Sequence, residues 1–533
     1  MRKPKKSELF SQKKWIENIE ESDDEMEEKV YRKNDSGKVW LVGAGPGDAG
    51  LLTVKGQKVI EEADVIVYDH LAGNEILSEI DREKKFINVG KQAGHHPISQ
   101  EEINQILVQE AEKGKKVVRL KGGDPFLFGR GGEELLELKK HGIPFEVVPG
   151  VTSSLAVPAY NGIPVTHRDY ASSLHIVTGH KKKGGDQEIN YRALAEAGGT
   201  LVFLMGVTCL ASIMENLIGA GMDPGTPAAI LQEGTTARQQ KISATLETLA
   251  EEAEKAQIHP PAIIIVGEVC TLQDELSWHE KLPLAGMCVM LTRPKELICD
   301  MADRLRRLGA QVLEVPTIAT VPMKDNKRFA NCLDHMKKYD WIVFTSQVGV
   351  RIFFEELDKK KIDVRIFSGI RFAVIGEGTG RELSKHGIYA DLIPEVYDGE
   401  TLARLLSDQN IRKQRILIPR ASKGNQKLVP ILKEAGAEVD DISIYDTVFQ
   451  NGEDPDLRKE LERSRVDCVT FTSSSTVEGF VRMYEGIDFS GIRAVCIGRQ
   501  TAETAEKYGM ECYIAEKADI DSMIEQIERV KAR

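Results

Sequence analysis

Lys116-Val117-Val118-Arg119-Leu120-Lys121-Gly122-Gly123-Asp124-Pro125-Phe126-Leu127-Phe128-Gly129-Arg130-Gly131-Gly132-Glu133-Glu134 carries a strand-like run, a loop and the start of a helix in one stretch. Residues 116–120 read as a strand and 133–140 as a helix. Five glycines fall between Gly122 and Gly132, and each would weaken the interior of a helix or strand. They suit backbone that must come close to a ligand, with Asp124 placed to accept hydrogen bonds from it. A binding loop at a strand end, leading into a helix, is the unit from which α/β folds are built.

The same alternation runs outward from this stretch. Short apolar runs at 39–42, 65–68, 145–148, 201–204 and 262–266 are separated by helix-like segments, which predicts an α/β domain over 38–282. The break at Trp278-His279-Glu280-Lys281-Leu282-Pro283 gives a linker at 283–286, and a new strand opens a second region, 287–533. A chain of 533 residues exceeds what one core supports, since single cores stop growing at roughly 250–300 residues.

Composition narrows the function classes. Hydrophobic residues at 41% and aromatic residues at 6% fit an α/β protein in water, and no apolar run has the roughly 18 residues of a membrane span. A formal net charge of −12 argues against nonspecific nucleic-acid binding. The eight cysteines are scattered without a C-x-x-C pair, which suggests neither a zinc site nor a disulfide framework and points to the reducing cytoplasm. Residues 1–37, basic and then acidic, read as a charged, flexible tail and not as a secretory signal; it is too short for a separate dehydrogenase domain.

The second region contains an internal repeat. Val289-Met290-Leu291-Thr292-Arg293-Pro294 matches Ile416-Leu417-Ile418-Pro419-Arg420-Ala421, and Phe344-Thr345-Ser346 matches Phe471-Thr472-Ser473. Both pairs lie 127 residues apart (293 to 420, 346 to 473). The repeat predicts two similar parallel-sheet domains joined by a hinge, one about 287–320 plus 447–533 and the other about 321–446. Ser346, Thr379, Ser473 and Thr501 sit at equivalent loops, where they would either line a shared cleft or cap helices.

Val42-Gly43-Ala44-Gly45-Pro46-Gly47-Asp48 invites a dinucleotide reading, with Asp69 as ribose-binding acid. The spacing is G-x-G-x-G and not G-x-G-x-x-G. In order along the chain come this loop, the Asp69 strand end, Gly90-Lys91-Gln92-Ala93-Gly94-His95-His96, the Gly122–Glu134 string, Pro149-Gly150-Val151-Thr152-Ser153, Gly162-Ile163-Pro164-Val165-Thr166-His167-Arg168, Leu204-Met205-Gly206 and Glu233-Gly234-Thr235. Together they resemble uroporphyrinogen-III C-methyltransferase, a tetrapyrrole methylase, over about 38–282. The resemblance implies two α/β lobes around S-adenosylmethionine, with cofactor contacts from Pro46, Gly122, Gly123, Asp124, Leu127, Thr152, Ser153, Met205 and Gly234. It also implies Asp69 as proton acceptor, Lys91 as proton donor, and a homodimer formed through this half. Read from the residues alone, Asp69 would close a turn and Lys91 would be solvated. Lys91, His95, His96, Lys121, Arg130, His167, Arg168 and the lysines at 181–183 are candidates to receive substrate carboxylates.

Phe344-Thr345-Ser346-Gln347-Val348-Gly349-Val350, Ile444-Tyr445-Asp446-Thr447 and the two-copy layout resemble uroporphyrinogen-III synthase over 287–533. That resemblance implies cyclisation of hydroxymethylbilane with inversion of the last ring, without cofactor or metal, Tyr445 assisting departure of the hydroxyl. Together the two halves would carry hydroxymethylbilane through uroporphyrinogen III to precorrin-2, on the way to sirohaem or cobalamin. The competing reading is a methylase of a later corrin step with a non-catalytic binding module behind it.

Overall fold

The computed structural model describes residues 37–90, 98–179, 189–423, 427–450, 452 and 454–532. The chain divides into two units between Gly286 and Met287. Among the described residues no helix is long and apolar enough to cross a membrane.

The first unit holds two five-stranded sheets. β1 (Lys38–Gly43), β2 (Val65–Tyr68), β3 (Lys85–Asn88), β4 (Lys116–Lys121) and β5 (Phe145–Val148) form a wholly parallel sheet in the order β3-β2-β4-β1-β5. Both faces are covered. Val39, Leu41, Val65, Val67 and Val117 enter one apolar cluster, and the alternating Val42, Ile66, Val118 and Leu120 enter another. The helix Gln100–Glu112 starts at a capping box: the Glu102 N–H donates to Ser99 Oγ at 3.2 Å and the Ser99 N–H to Glu102 Oε2 at 2.6 Å.

β6 (Leu174–Thr178), β7 (Thr200–Leu204), β8 (Pro227–Gln232), β9 (Gln240–Thr245) and β10 (Ala262–Val266) form the second sheet in the order β6-β7-β10-β8-β9. Here only β6 and β7 are parallel, and the other three neighbouring pairs are antiparallel.

The second unit contributes β11 (Cys288–Leu291), β12 (Gln311–Glu314), β13 (Ile318–Pro322), β14 (Trp341–Phe344), β15 (Arg371–Val374), β16 (Arg415–Ala421), β17 (Glu438–Phe449), β18 (Cys468–Phe471), β19 (Arg493–Cys496) and β20 (Glu511–Ile514). They make two sheets, β12-β11-β18-β19-β20, wholly parallel, and β13-β17-β16-β14-β15, parallel except for its edge strand β13. The repeat predicts similar sheets, and the spatial orders agree: β12-β11-β18-β19 corresponds to β17-β16-β14-β15.

The copies themselves are exchanged. The first copy places β11 and β12 in one sheet and β14 and β15 in the other; the second copy does the reverse. The two chain crossings run side by side, with Ile318 opposite Phe449 and Thr320 opposite Thr447. This antiparallel pair carries the second sheet past the expected boundaries at 320 and 447, because breaking it there would leave ladder hydrogen bonds unmade.

Candidate functional site

The loops after β4, β1 and β5 meet because those strands are neighbours. Gly123 N donates to Gly45 O at 2.7 Å and Gly45 N to Gly123 O at 3.2 Å. Three glycines touch through their backbones: a Cβ on Gly150 would lie 2.3 Å from Gly123 O and 2.7 Å from Gly43 Cα. A Cβ on Gly122 would lie 2.4 Å from Leu71 O. Gly123 is different. Its φ of +65° favours glycine, and a Cβ there would meet nothing closer than Ser153 N at 3.8 Å. The backbone is therefore open on that side, toward Thr152 and Ser153 at the start of the helix Ser153–Tyr160.

Asp124 braces these loops. Its Oδ1 accepts from Phe126 N at 2.8 Å and its Oδ2 from Gly150 N at 3.1 Å, which leaves lone pairs for a further donor. Pro46 lies in the β1 loop, and beside it Asp48 reaches the second sheet. Asp48 N donates to Thr235 Oγ1 at 3.2 Å, and Tyr160 OH donates to Asp48 Oδ2 at 2.5 Å. Gly234, in the β8–β9 turn, abuts Val157, whose Cγ1 would be 2.2 Å from an added Cβ. Leu127 sits against the cluster of Val157, Leu204 and Leu231. Met205, at the end of β7, has φ +54° and is half exposed.

Asp69 ends β2, with Oδ1 accepting from Leu71 N at 3.1 Å and Oδ2 from Arg119 Nη2 at 2.8 Å. Behind it lies a buried ion network that the sequence reading missed. Arg119 Nε is 3.4 Å from Glu134 Oε1, which also accepts from Lys121 Nζ at 2.9 Å and Gln100 Nε2 at 3.2 Å. Glu134 is fully buried, and its Oε2 has no donor among the described residues. Burial, then the neighbouring Arg119, pulls the Lys121 pKa down. Lys121 is thus a correction: it is inside, paired with Glu134, and does not face a substrate. The signal was present, since charges at 119 and 121 share one face of the central strand, where only a buried partner permits them.

Arg130 is exposed with φ +58°, and its Nε donates to Glu133 at 2.5 Å. His167 accepts from Asp169 N at 3.2 Å through Nδ1, and Arg168 beside it is exposed. Lys91, His95, His96 and the lysines at 181–183 lie outside the described residues.

In the second unit Ser346 and Ser473 follow β14 and β18 and cap the helices Gln347–Lys359 and Ser474–Met483. Thr379 and Thr501 are buried in the first turns of their helices. Ser346 Oγ accepts from Gly349 N at 2.9 Å and shares a 2.8 Å hydrogen bond with Tyr445 OH, reaching across β16. Tyr445 is itself buried, and burial pushes its phenol pKa up. Among the described residues there is no group of three or more His, Cys, Asp or Glu suited to a metal ion, and none of the eight cysteines forms a disulfide.

Glycine-walled strand ends in the first unit and duplicated sheets in the second define a two-unit α/β protein. Residues 38–250 match the model of the tetrapyrrole (corrin/porphyrin) methylases, and residues 300–525 that of uroporphyrinogen-III synthase HemD. The chain is 44% identical over 491 residues to the porphyrin biosynthesis protein HemD of Ruminiclostridium josui, covering 92% of this chain and 97% of that protein. It is 42% identical over 359 residues to the uroporphyrinogen-III C-methyltransferase of Bacillus subtilis, covering 67% of this chain and 73% of that one. Against the siroheme synthase of Salmonella typhi it is 53% identical over 242 residues, 45% of this chain and 52% of that one. The chain belongs to the porphyrin-biosynthesis family in which a tetrapyrrole methylase domain is fused to a uroporphyrinogen-III synthase domain.

Proposed function

We propose that the chain converts hydroxymethylbilane to precorrin-2. The second unit closes the ring to uroporphyrinogen III with inversion of the last pyrrole, and the first unit then methylates two ring carbons. The observation that carries the methylase reading is the open backbone of Gly123 among the crowded glycines Gly43, Gly122 and Gly150. That cradle, with spare acceptor capacity on Asp124, fits S-adenosylmethionine, whose sulfonium supplies an already activated methyl group. Pro46, Gly122, Gly123, Asp124, Leu127, Thr152, Ser153, Met205 and Gly234 would hold it. Holding the reactants in line can supply roughly 7–11 kcal/mol of a barrier. Asp69, oriented by Arg119, accepts the pyrrole proton, and Lys91 returns one. His95, Arg130, His167 and Arg168 receive carboxylates.

In the second unit the two sheets act as flavodoxin-like domains hinged at the paired crossings β13 and β17, with Ser346, Thr379, Ser473 and Thr501 toward the substrate. A phenol whose pKa is raised stays protonated, so Tyr445 can donate to the departing hydroxyl while Ser346 orients it. Tyr445→Phe is expected to lower the synthase kcat by roughly 100-fold with a smaller change in KM, measured by the appearance of uroporphyrinogen III. An unchanged kcat removes the phenol from the mechanism. Eight cysteines without a disulfide among the described residues suit the cytoplasm, and a homodimer through the first unit completes the proposal.

The deciding experiment is anaerobic incubation with S-adenosylmethionine and either uroporphyrinogen III or hydroxymethylbilane, following mass. Two methyl groups gained from both substrates support both activities. Two from uroporphyrinogen III alone leave the second unit without a synthase role, and none from either returns the later corrin methylases.

A further inference from the structure

Two residues beyond β11, Arg293 is 7% exposed, and its Nε and Nη1 are buried without an acceptor among the described residues. Its backbone is fixed on both sides. Thr292 Oγ1 donates to Thr470 O at 2.7 Å, and Thr317 N donates to Thr292 O at 3.2 Å. Burial lowers the Arg293 pKa to about 10, with Asp300 pulling the other way.

The internal repeat supplies the control. Arg420 occupies the same position in the other copy, where Asp441 grips it: Nε to Oδ1 and Nη2 to Oδ2, both at 2.7 Å. Asp441 pairs with Ile418 across the sheet as Glu314 pairs with Leu291, so Glu314 is the counterpart of Asp441. Glu314 is taken by Arg306, whose Nη2 lies 3.2 Å away. One copy therefore builds in the carboxylate for its arginine, and the other engages that carboxylate elsewhere. Arg293 also stands where β11 meets β18, the point at which the order of this parallel sheet reverses (β12-β11 on one side, β18-β19-β20 on the other). Ligands of such sheets bind at that switch point, outside the carboxyl ends of the strands.

We propose that Arg293 receives a carboxylate of the linear tetrapyrrole, an assignment that rests on the synthase reading of the second unit. A buried guanidinium whose Nε and Nη1 find no acceptor among the described residues is costly to keep, and a planar fork matches a carboxylate better than a lysine ammonium does. The substrate completes in this sheet the pair that Asp441 completes in the other.

The test compares the full-length chain with its Arg293→Met and Arg293→Lys variants, using hydroxymethylbilane as substrate and uroporphyrinogen III methylation as internal standard. Losing a charge-assisted hydrogen bond is expected to raise the synthase KM of Arg293→Met roughly 10- to 100-fold, with kcat changed less and Arg293→Lys between the two. Because a buried guanidinium with two N–H atoms lacking acceptors is replaced by an apolar side chain, the unfolding midpoint of Arg293→Met should hold or rise. A KM within about twofold of wild type, or a KM rise accompanied by a falling midpoint, overturns the assignment. A wild-type chain that does not turn over hydroxymethylbilane while still methylating uroporphyrinogen III sinks the synthase reading itself, and Arg293 with it.

Discussion

Glu134→Gln should destabilise the first unit by about 3–5 kcal/mol, the usual result of removing one partner from a buried ion pair. Glu134 Oε1 accepts from Lys121 Nζ at 2.9 Å, and it also faces Arg119 Nε at 3.4 Å. An amide there leaves a desolvated ammonium without its contacting carboxylate. Against a typical domain stability of about 5–15 kcal/mol, that is a large share. The double variant Glu134→Gln, Lys121→Met should recover part of the loss, since Arg119 keeps Asp69 at 2.8 Å. Denaturant unfolding of both variants measures it. A loss under about 1 kcal/mol for the single variant would place the charges in contact with water.

Gly150→Ala should lower methyl transfer by roughly 100-fold, the scale on which a displacement of about 1 Å acts on a positioned reaction. The added Cβ would stand 2.3 Å from Gly123 O and 2.7 Å from Gly43 Cα, backbone atoms with no rotamer to retreat into. The β5 loop has to move away, and the Gly150 N–H bond to Asp124 goes with it. Gly132→Ala is the matched control. Its Cβ would meet nothing within 4 Å, at the start of the helix Gly131–Lys140, so activity there should stay within about twofold. Methyl incorporation with uroporphyrinogen III reads both, and equal activities would break the link between the glycine contact and the chemistry.

The strand, glycine loop and helix around 116–140 were legible because they are local: β4 ends at Lys121 and the next helix starts at Gly131. The same stretch hid its ion network, since Asp69 and Arg119 are 50 residues apart and meet only through the parallel pairing of β2 with β4. Tyr445 and Ser346 were singled out separately. Their hydrogen bond spans 99 residues and depends on the order β17-β16-β14, which spacing does not encode. The 127-residue offset revealed two copies, and the expected split at 320 and 447 already divided each copy between two sheets. The pairing of β13 with β17 across that split was not legible, because a repeat reports likeness and not partnership.

That exchange of strands sets the order in which the second unit can be completed at the ribosome. The sheet from β13 to β17 is contiguous and can close as soon as Phe449 has emerged. β11, buried at all four positions in the finished fold, must wait for β18 at Cys468. At about 5–20 residues per second, the interval from Leu291 to Cys468 lasts roughly ten to thirty seconds. For that time an apolar strand stands without the neighbour that will cover it, and it is there that a chaperone would find this nascent chain.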